Sequence, residues 1–340
     1  MLVKTEKFIY FRSENYNFNF DRKTGFFMRW GKTVDDDPSY SPVGPEIADI
    51  EIATSCSGVG KVCDFCYKKN NPNGTYMTLE TFKVLFSKLP PTITQIAFGI
   101  GNIDSCPDMW KIFDFCREQK VVPNLTINGA GLTDEIAQKL VENCGATAVS
   151  YYDKETTFNA VKKLTDLGLK QTNIHFMLCT ERYETALSVL NDYKTDDRLK
   201  NLNAIVFLSL KKKGRAENRY TQLSQELFNN LVKTALETKT PFGFDSCTYH
   251  KFIDSISESE NKKQLEMYAE PCESGLFSFY ANVNGDFFPC SFAEKVDGWE
   301  NGISVLKLKN FDKELWNSER LTEWRNHLLE CNRRCPLYEI

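Results

Sequence analysis

No stretch of this 340-residue sequence approaches the roughly 18 to 20 consecutive apolar residues that a membrane span requires, and nothing in it reads as inserted in a bilayer. The opening residues, MLVKTEKFIYFRSENYNFNF, lack the apolar core of a secretion signal, so the expected location is the cytoplasm. A strong charge of either sign is also missing: the net charge of −4 gives no global field that would hold nucleic acid. Internal repeats and low-complexity tracts are absent, which sets aside solenoids and disordered tails. Cysteine is present, twelve times, but too sparsely for a disulfide scaffold, and a reducing compartment opposes such bridges. Metal ligation is the better reading for the cysteines that cluster.

What the sequence does have, from about residue 48, is alternation. Short apolar runs rich in β-branched and aromatic residues occupy 48–53, 93–98, 124–128, 147–152, 173–178 and 202–210, with 241–247 as a seventh candidate strand. Helical patterns lie between them. Thr78, Thr133 and Asp153 are placed as N-caps, Pro107 opens another helix, and Gly145 and Gly168 follow C-termini. Single helices between strands predict right-handed crossovers and a parallel sheet. The expected fold is α/β: a partial (β/α)6 TIM-like barrel over 48–246, preceded by an N-terminal hairpin extension and linker (1–47) and followed by a small cysteine-bearing domain (247–340). The strands, nearly all apolar, read as covered on both faces. In YNFNF the alternation reads first as a half-buried strand; a platform for stacking bases is the alternative.

The stretch TSCSGVGKVCDFCY (54–67) directly follows the first barrel strand, at the end where parallel α/β folds place their chemistry. It holds Cys56, Cys63 and Cys66. A structural zinc site would need a fourth ligand, and no histidine is near. A dithiol pair would use only Cys63 and Cys66. Three thiolates on an iron–sulfur cluster leave one iron open to a non-protein ligand.

In these residues the chain resembles the radical S-adenosylmethionine (SAM) enzymes, whose motif is three cysteines in one loop after the first strand, with an aromatic before the last. Here that aromatic is Phe65, and the first gap, Ser57 to Val62, is three residues longer than usual. The resemblance implies that Cys56, Cys63 and Cys66 hold a [4Fe-4S] cluster which cleaves SAM to a 5'-deoxyadenosyl radical. It implies SAM contacts at Phe65, at Gly99, Gly101 and Asn102 in AFGIGN, at Asn128, at Ser150, at His175 and at Arg215. Asn102 stands where the family has an acidic residue. Cys272, Cys290, Cys331 and Cys335 resemble an auxiliary-cluster domain of the Twitch or half-SPASM type, implying a second [4Fe-4S] cluster under a domain that closes the barrel mouth. Cys247 is a substitute ligand or a residue touching substrate, and the remaining catalytic groups are unassigned.

The implied reaction is hydrogen abstraction from a peptide, protein side chain or small molecule, of oxidoreductase, epimerase or crosslinking type. The implied partner is a low-potential electron donor such as flavodoxin or ferredoxin. Two other readings stand beside it: modification of a nucleotide or nucleic-acid base, and a zinc-stabilised binding protein that is no enzyme. The run Lys211 to Arg215 reads mainly as a solvated loop that would suit a phosphate or carboxylate.

Overall fold

The computed structural model describes residues 1–296 and 298–340. Two β-sheets organise them. The first is an antiparallel meander of β1 (Leu2–Lys4), β2 (Phe8–Arg12), β3 (Asn17–Asp21) and β4 (Phe27–Trp30), in that spatial order. The N-terminal extension is thus four strands and not a single hairpin. Tyr16, Phe18 and Phe20 alternate onto one face and are buried with Leu276, Phe277 and Leu328. Those three rings are core, and being buried they offer no face on which a base could stack.

The second sheet carries the barrel strands β5 (Ile47–Glu51), β6 (Gln95–Gly99), β7 (Val122–Ile127), β8 (Thr147–Ser150), β9 (Thr172–Leu178), β10 (Ala204–Ser209) and β11 (Phe242–Phe244), all parallel and in sequence order. Helices α1 (Leu79–Lys88), α2 (Met109–Glu118), α3 (Asp134–Asn143), α4 (Lys154–Asp166), α5 (Tyr183–Thr195) and α6 (Gln225–Thr238) connect them. Thr78, Thr133 and Asp153 cap α1, α3 and α4 by accepting from the backbone amides of Thr81, Ile136 and Thr156, each satisfying an amide that the helix itself leaves free. The buried stripes of these helices, among them Phe82, Leu85, Ile112, Phe113, Phe158 and Leu231, cover the outer face of the sheet.

The inner face differs from the expectation of strands apolar on both sides. In β9 the core takes Ile174, Phe176 and Leu178, while Asn173 and His175 point the other way; in β7 Leu125 and Ile127 oppose Asn124 and Thr126. With Asp49, Glu51 and Gln95 they make a polar lumen, in which Asn124 donates to Gln95 (2.7 Å) and Thr126 lies 3.5 Å from His175 Nδ1. Asp49 is reached by solvent, yet burial raises its carboxyl to about 7, with the charge of Glu273 adding to the shift. A lumen walled by protein gives both.

After α7 (Tyr249–Ser255) and α8 (Lys262–Glu266) the chain returns to the sheet. Strand β12 (Ser278–Ala281) pairs parallel to β5, and β13 (Asp286–Phe288) and β14 (Ile303–Ser304) extend the sheet antiparallel, before α9 (Glu319–Glu330). The β12–β13 turn uses Gly285 at φ +77°, as Asn-Gly predicts. From this edge the segment reaches the loops after β10 and β11: Lys213 Nζ donates to the carbonyls of Phe292 (2.9 Å) and Glu294 (2.6 Å), and His250 Nε2 lies 2.9 Å from Asn332 O. The C-terminal segment therefore spans from the first barrel strand to the last.

Candidate metal centre and cofactor site

Cys56, Cys63 and Cys66 lie in the loop that leaves β5, and their thiols are close enough to perturb one another. Burial raises the thiols of Cys56 and Cys63, and Cys66 adds to both. The long gap is taken up locally. Gly58 and Gly60 adopt φ +71°, Val59 bridges Lys61, and the excess residues form a tight turn that leaves Cys56 beside its partners. A Cβ on Gly58 would meet Lys61 O at 1.9 Å, so this turn admits only glycine there.

Several residues expected to touch a cofactor also hold this loop. Asn102 Oδ1 accepts from Ser57 N (2.6 Å) and Ser57 Oγ (2.9 Å), and its amide donates to Gly58 O (3.1 Å). Arg215 donates to the carbonyls of Cys63 (3.3 Å), Lys69 (3.1 Å) and Asn70 (2.7 Å), and its own amide bonds Cys66 O (3.0 Å). Gly101 packs on the backbone of Ser55 and on Cys56, and Gly99 faces Glu51. Phe65 packs at a tilt against Tyr152, ring centroids 5.5 Å apart, and lies 5.1 Å from the Arg182 guanidinium. Ser150 ends β8 half-buried, and His175 faces the lumen, where burial lowers its pKa to about 4, opposed by Asp245, so that it is neutral at pH 7.

Asn128 is different. Its Oδ1 accepts from Ala130 N (3.0 Å), which fixes the orientation of the amide, and its buried Nδ2 then has no partner. A buried donor left unpaired costs about 1–3 kcal/mol, and an acceptor on a bound molecule would remove that cost.

Two contributors went unread in the sequence. Tyr152, at the end of β8, has its hydroxyl 3.0 Å from Cys63 Sγ. Arg182 lies over Phe176 (4.4 Å) and Phe65, and donates to Tyr151 O (2.8 Å). A second aromatic after Ser150 in VSYY was the available signal for the first; nothing local marked the second.

At the other end of the site Cys272, Cys290 and Cys335 come together: burial raises the Cys272 thiol to about 12, with Cys290 and Cys335 adding to it. Cys247 joins them, its thiol pushed up by burial and by Cys272 and Cys335, against the pull of Lys211. Cys331 caps α9 with Sγ 3.9 Å from His327 Nε2. Between Cys331 and Cys335 the chain turns through two left-handed residues, Asn332 and Arg333, and Arg333 Nε donates to Cys272 O (2.8 Å), tying the late pair to the early one. Among the described residues no three His, Cys, Asp or Glu side chains converge on a single metal ion.

No protein-family profile matches the chain, and no curated protein matches it in sequence. Solved structures do match in fold. SuiB of Streptococcus suis bound to the precursor peptide SuiA aligns with TM-score 0.68 at 11% identity, covering 95% of this chain and 90% of that one. SuiB bound to S-adenosylmethionine gives 0.65 at 11%, with the same two coverages. Native anSMEcpe with bound AdoMet and the Cp18Cys peptide gives 0.57 at 16%, covering 82% of each chain. These are radical SAM enzymes, and the partial barrel described here has their fold.

Proposed function

We propose that this chain is a radical SAM enzyme acting on a peptide. The observation that carries the reading is the grouping of three thiols, Cys56, Cys63 and Cys66, near enough to perturb one another in the loop that leaves the first barrel strand, in a fold shared with SuiB and anSMEcpe. When bound, a [4Fe-4S] cluster and SAM supply one-electron cleavage of the sulfonium and a carbon radical able to remove hydrogen from an unactivated position. The residues present fit that pair. Three thiolates are held in one loop, an amide donor at Asn128 is buried and unpaired, and a polar lumen opens beside them.

The chain's own groups then have separable tasks. Arg215 and Asn102 fix the cysteine loop through its carbonyls and amides, Tyr152 hydrogen-bonds Cys63, and Phe65 with Arg182 closes one wall against water. Cys272, Cys290 and Cys335, with Cys331 or Cys247 as fourth, would hold an auxiliary [4Fe-4S] cluster. Cys247 also lies in the turn that follows β11, and is our candidate for contact with substrate. A peptide is favoured as substrate because SuiB and anSMEcpe are each solved with a peptide bound.

Anaerobic purification tests the reading. The expected protein is brown, carries about eight irons per chain, as two four-iron clusters would, and forms 5'-deoxyadenosine from SAM after dithionite reduction. A colourless zinc protein that leaves SAM intact would overturn it. Asn128→Ala should weaken SAM binding about tenfold, the loss of one hydrogen bond to a charged ligand, with iron content unchanged; equilibrium dialysis and iron assay together check this.

A further inference from the structure

A cleft of roughly 730 Å³ opens at the edge of the lumen, sharing Glu51 with it, where the cysteine loop, the loop after β10 and the C-terminal segment meet. Its walls carry five lysines, Lys68, Lys69, Lys212, Lys213 and Lys295, against three glutamates, Glu51, Glu217 and Glu294. Two of those glutamates are already engaged. Lys68 Nζ lies 3.3 Å from Glu51, pairs with Glu294, and donates to Tyr280 OH (2.7 Å). Lys213 is held on backbone carbonyls of the C-terminal segment. Lys69, Lys212 and Lys295 are exposed around the rim. In a chain of net charge −4 this is a local reversal of sign.

The cleft also adjoins both cysteine groups. Tyr67 follows Cys66 directly and Lys69 comes three residues after it; Tyr338 comes three after Cys335. Three residues span at most about 11 Å of backbone. The wall between the groups is aromatic: Tyr67 and Phe292 have ring centroids 4.4 Å apart, and Phe292 lies 6.3 Å from Tyr338.

We propose that this basic cleft is the docking site of an acidic, low-potential one-electron carrier protein. Its acidic face would meet Lys69, Lys212 and Lys295, and its redox group would be brought against the Tyr67–Phe292 wall. The inference rests on the radical SAM reading, which requires an electron from outside the chain. Charge complementarity favours this occupant: an acidic carrier is repelled by the chain as a whole and attracted here, and such patches act chiefly on association rate and salt dependence. The electron passes from the reduced carrier to the oxidised cluster, so the carrier is oxidised by one electron and no bond is formed or broken in that step.

The test uses the holoenzyme and flavodoxin hydroquinone as probe. In anaerobic stopped flow, Lys69→Glu/Lys212→Glu/Lys295→Glu should slow second-order bleaching of the cluster by at least tenfold at low salt, and flatten its salt dependence. Calorimetry with oxidised flavodoxin should show a matching loss of affinity. Dithionite, which needs no docking, should still drive 5'-deoxyadenosine formation at the unaltered rate; circular dichroism confirms folding, and single Lys→Gln variants repeat the trend should the triple variant misfold. Unchanged flavodoxin kinetics and affinity would overturn the proposal. So would a variant that keeps flavodoxin binding but loses affinity for an acidic peptide, since the cleft would then belong to substrate. If wild-type protein fails with dithionite, the radical reading falls, while the flavodoxin calorimetry still decides the cleft.

Discussion

Cys56→Ala protein is expected to fold, to keep about four irons of about eight, and to form no detectable 5'-deoxyadenosine. The fold should survive because Cys56 is half-exposed in a loop and supplies no core packing, and its backbone amide bond to Asn71 O (2.9 Å) does not depend on the side chain. The iron loss follows from ligand count. Residues 1–55 hold no cysteine that could replace Cys56, and the turn at Gly58 and Gly60 brings it to Cys63 and Cys66. Cys272→Ala and Cys290→Ala should lose the other half of the iron and retain SAM cleavage. In the same series Cys247→Ala and Cys331→Ala separate the two candidates for the fourth auxiliary ligand: the ligand costs iron, the other does not. Full iron and SAM turnover in Cys56→Ala would overturn the assignment of the loop.

The barrel was legible in sequence because its signals are local. Each strand run and each cap at Thr78, Thr133 and Asp153 is specified within a few residues, and the structure forms them there. The cysteine loop was legible for the same reason. What escaped was non-local. The pairing of β12 with β5 joins residues more than 200 positions apart, and no pattern in either strand announces it. The lumen escaped because apolar neighbours hid a period of two: Asp49, Asn124, Thr126, Asn173 and His175 each sit one residue from a core side chain. Roles were harder still. Asn102 and Arg215 occupy positions matching a cofactor-binding pattern, and their polar atoms also hold the cysteine loop, a role that no neighbouring residue in the sequence marks.

Gly101→Ala should abolish turnover almost as completely as loss of a ligand, through one methyl group. A Cβ at 101 would lie 1.7 Å from Ser55 O and 2.7 Å from Cys56 Cβ. The same Ser55 backbone also meets Gly74, where a Cβ would come within 2.2 Å of Ser55 N. The peptide that carries Cys56 is therefore packed against two glycines, neither of which leaves room for a methyl group. Because backbone rather than a flexible side chain stands in the way, the loop must move by more than an ångström, and misplacement of that size costs about 100-fold in rate where reacting groups are held in fixed geometry. Gly74→Ala should do the same. Gly60→Ala is the control: its φ of +71° imposes strain of about 1–2 kcal/mol, but nothing lies within 4 Å of the added carbon, so the variant should melt earlier and keep most of its turnover. Thermal melts, iron assay and 5'-deoxyadenosine formation on the three variants distinguish crowding of Ser55 from general destabilisation. Equal behaviour of Gly101→Ala and Gly60→Ala would mean that Ser55 is free to move, and that the precision of the cysteine loop comes from Arg215 and Asn102 alone.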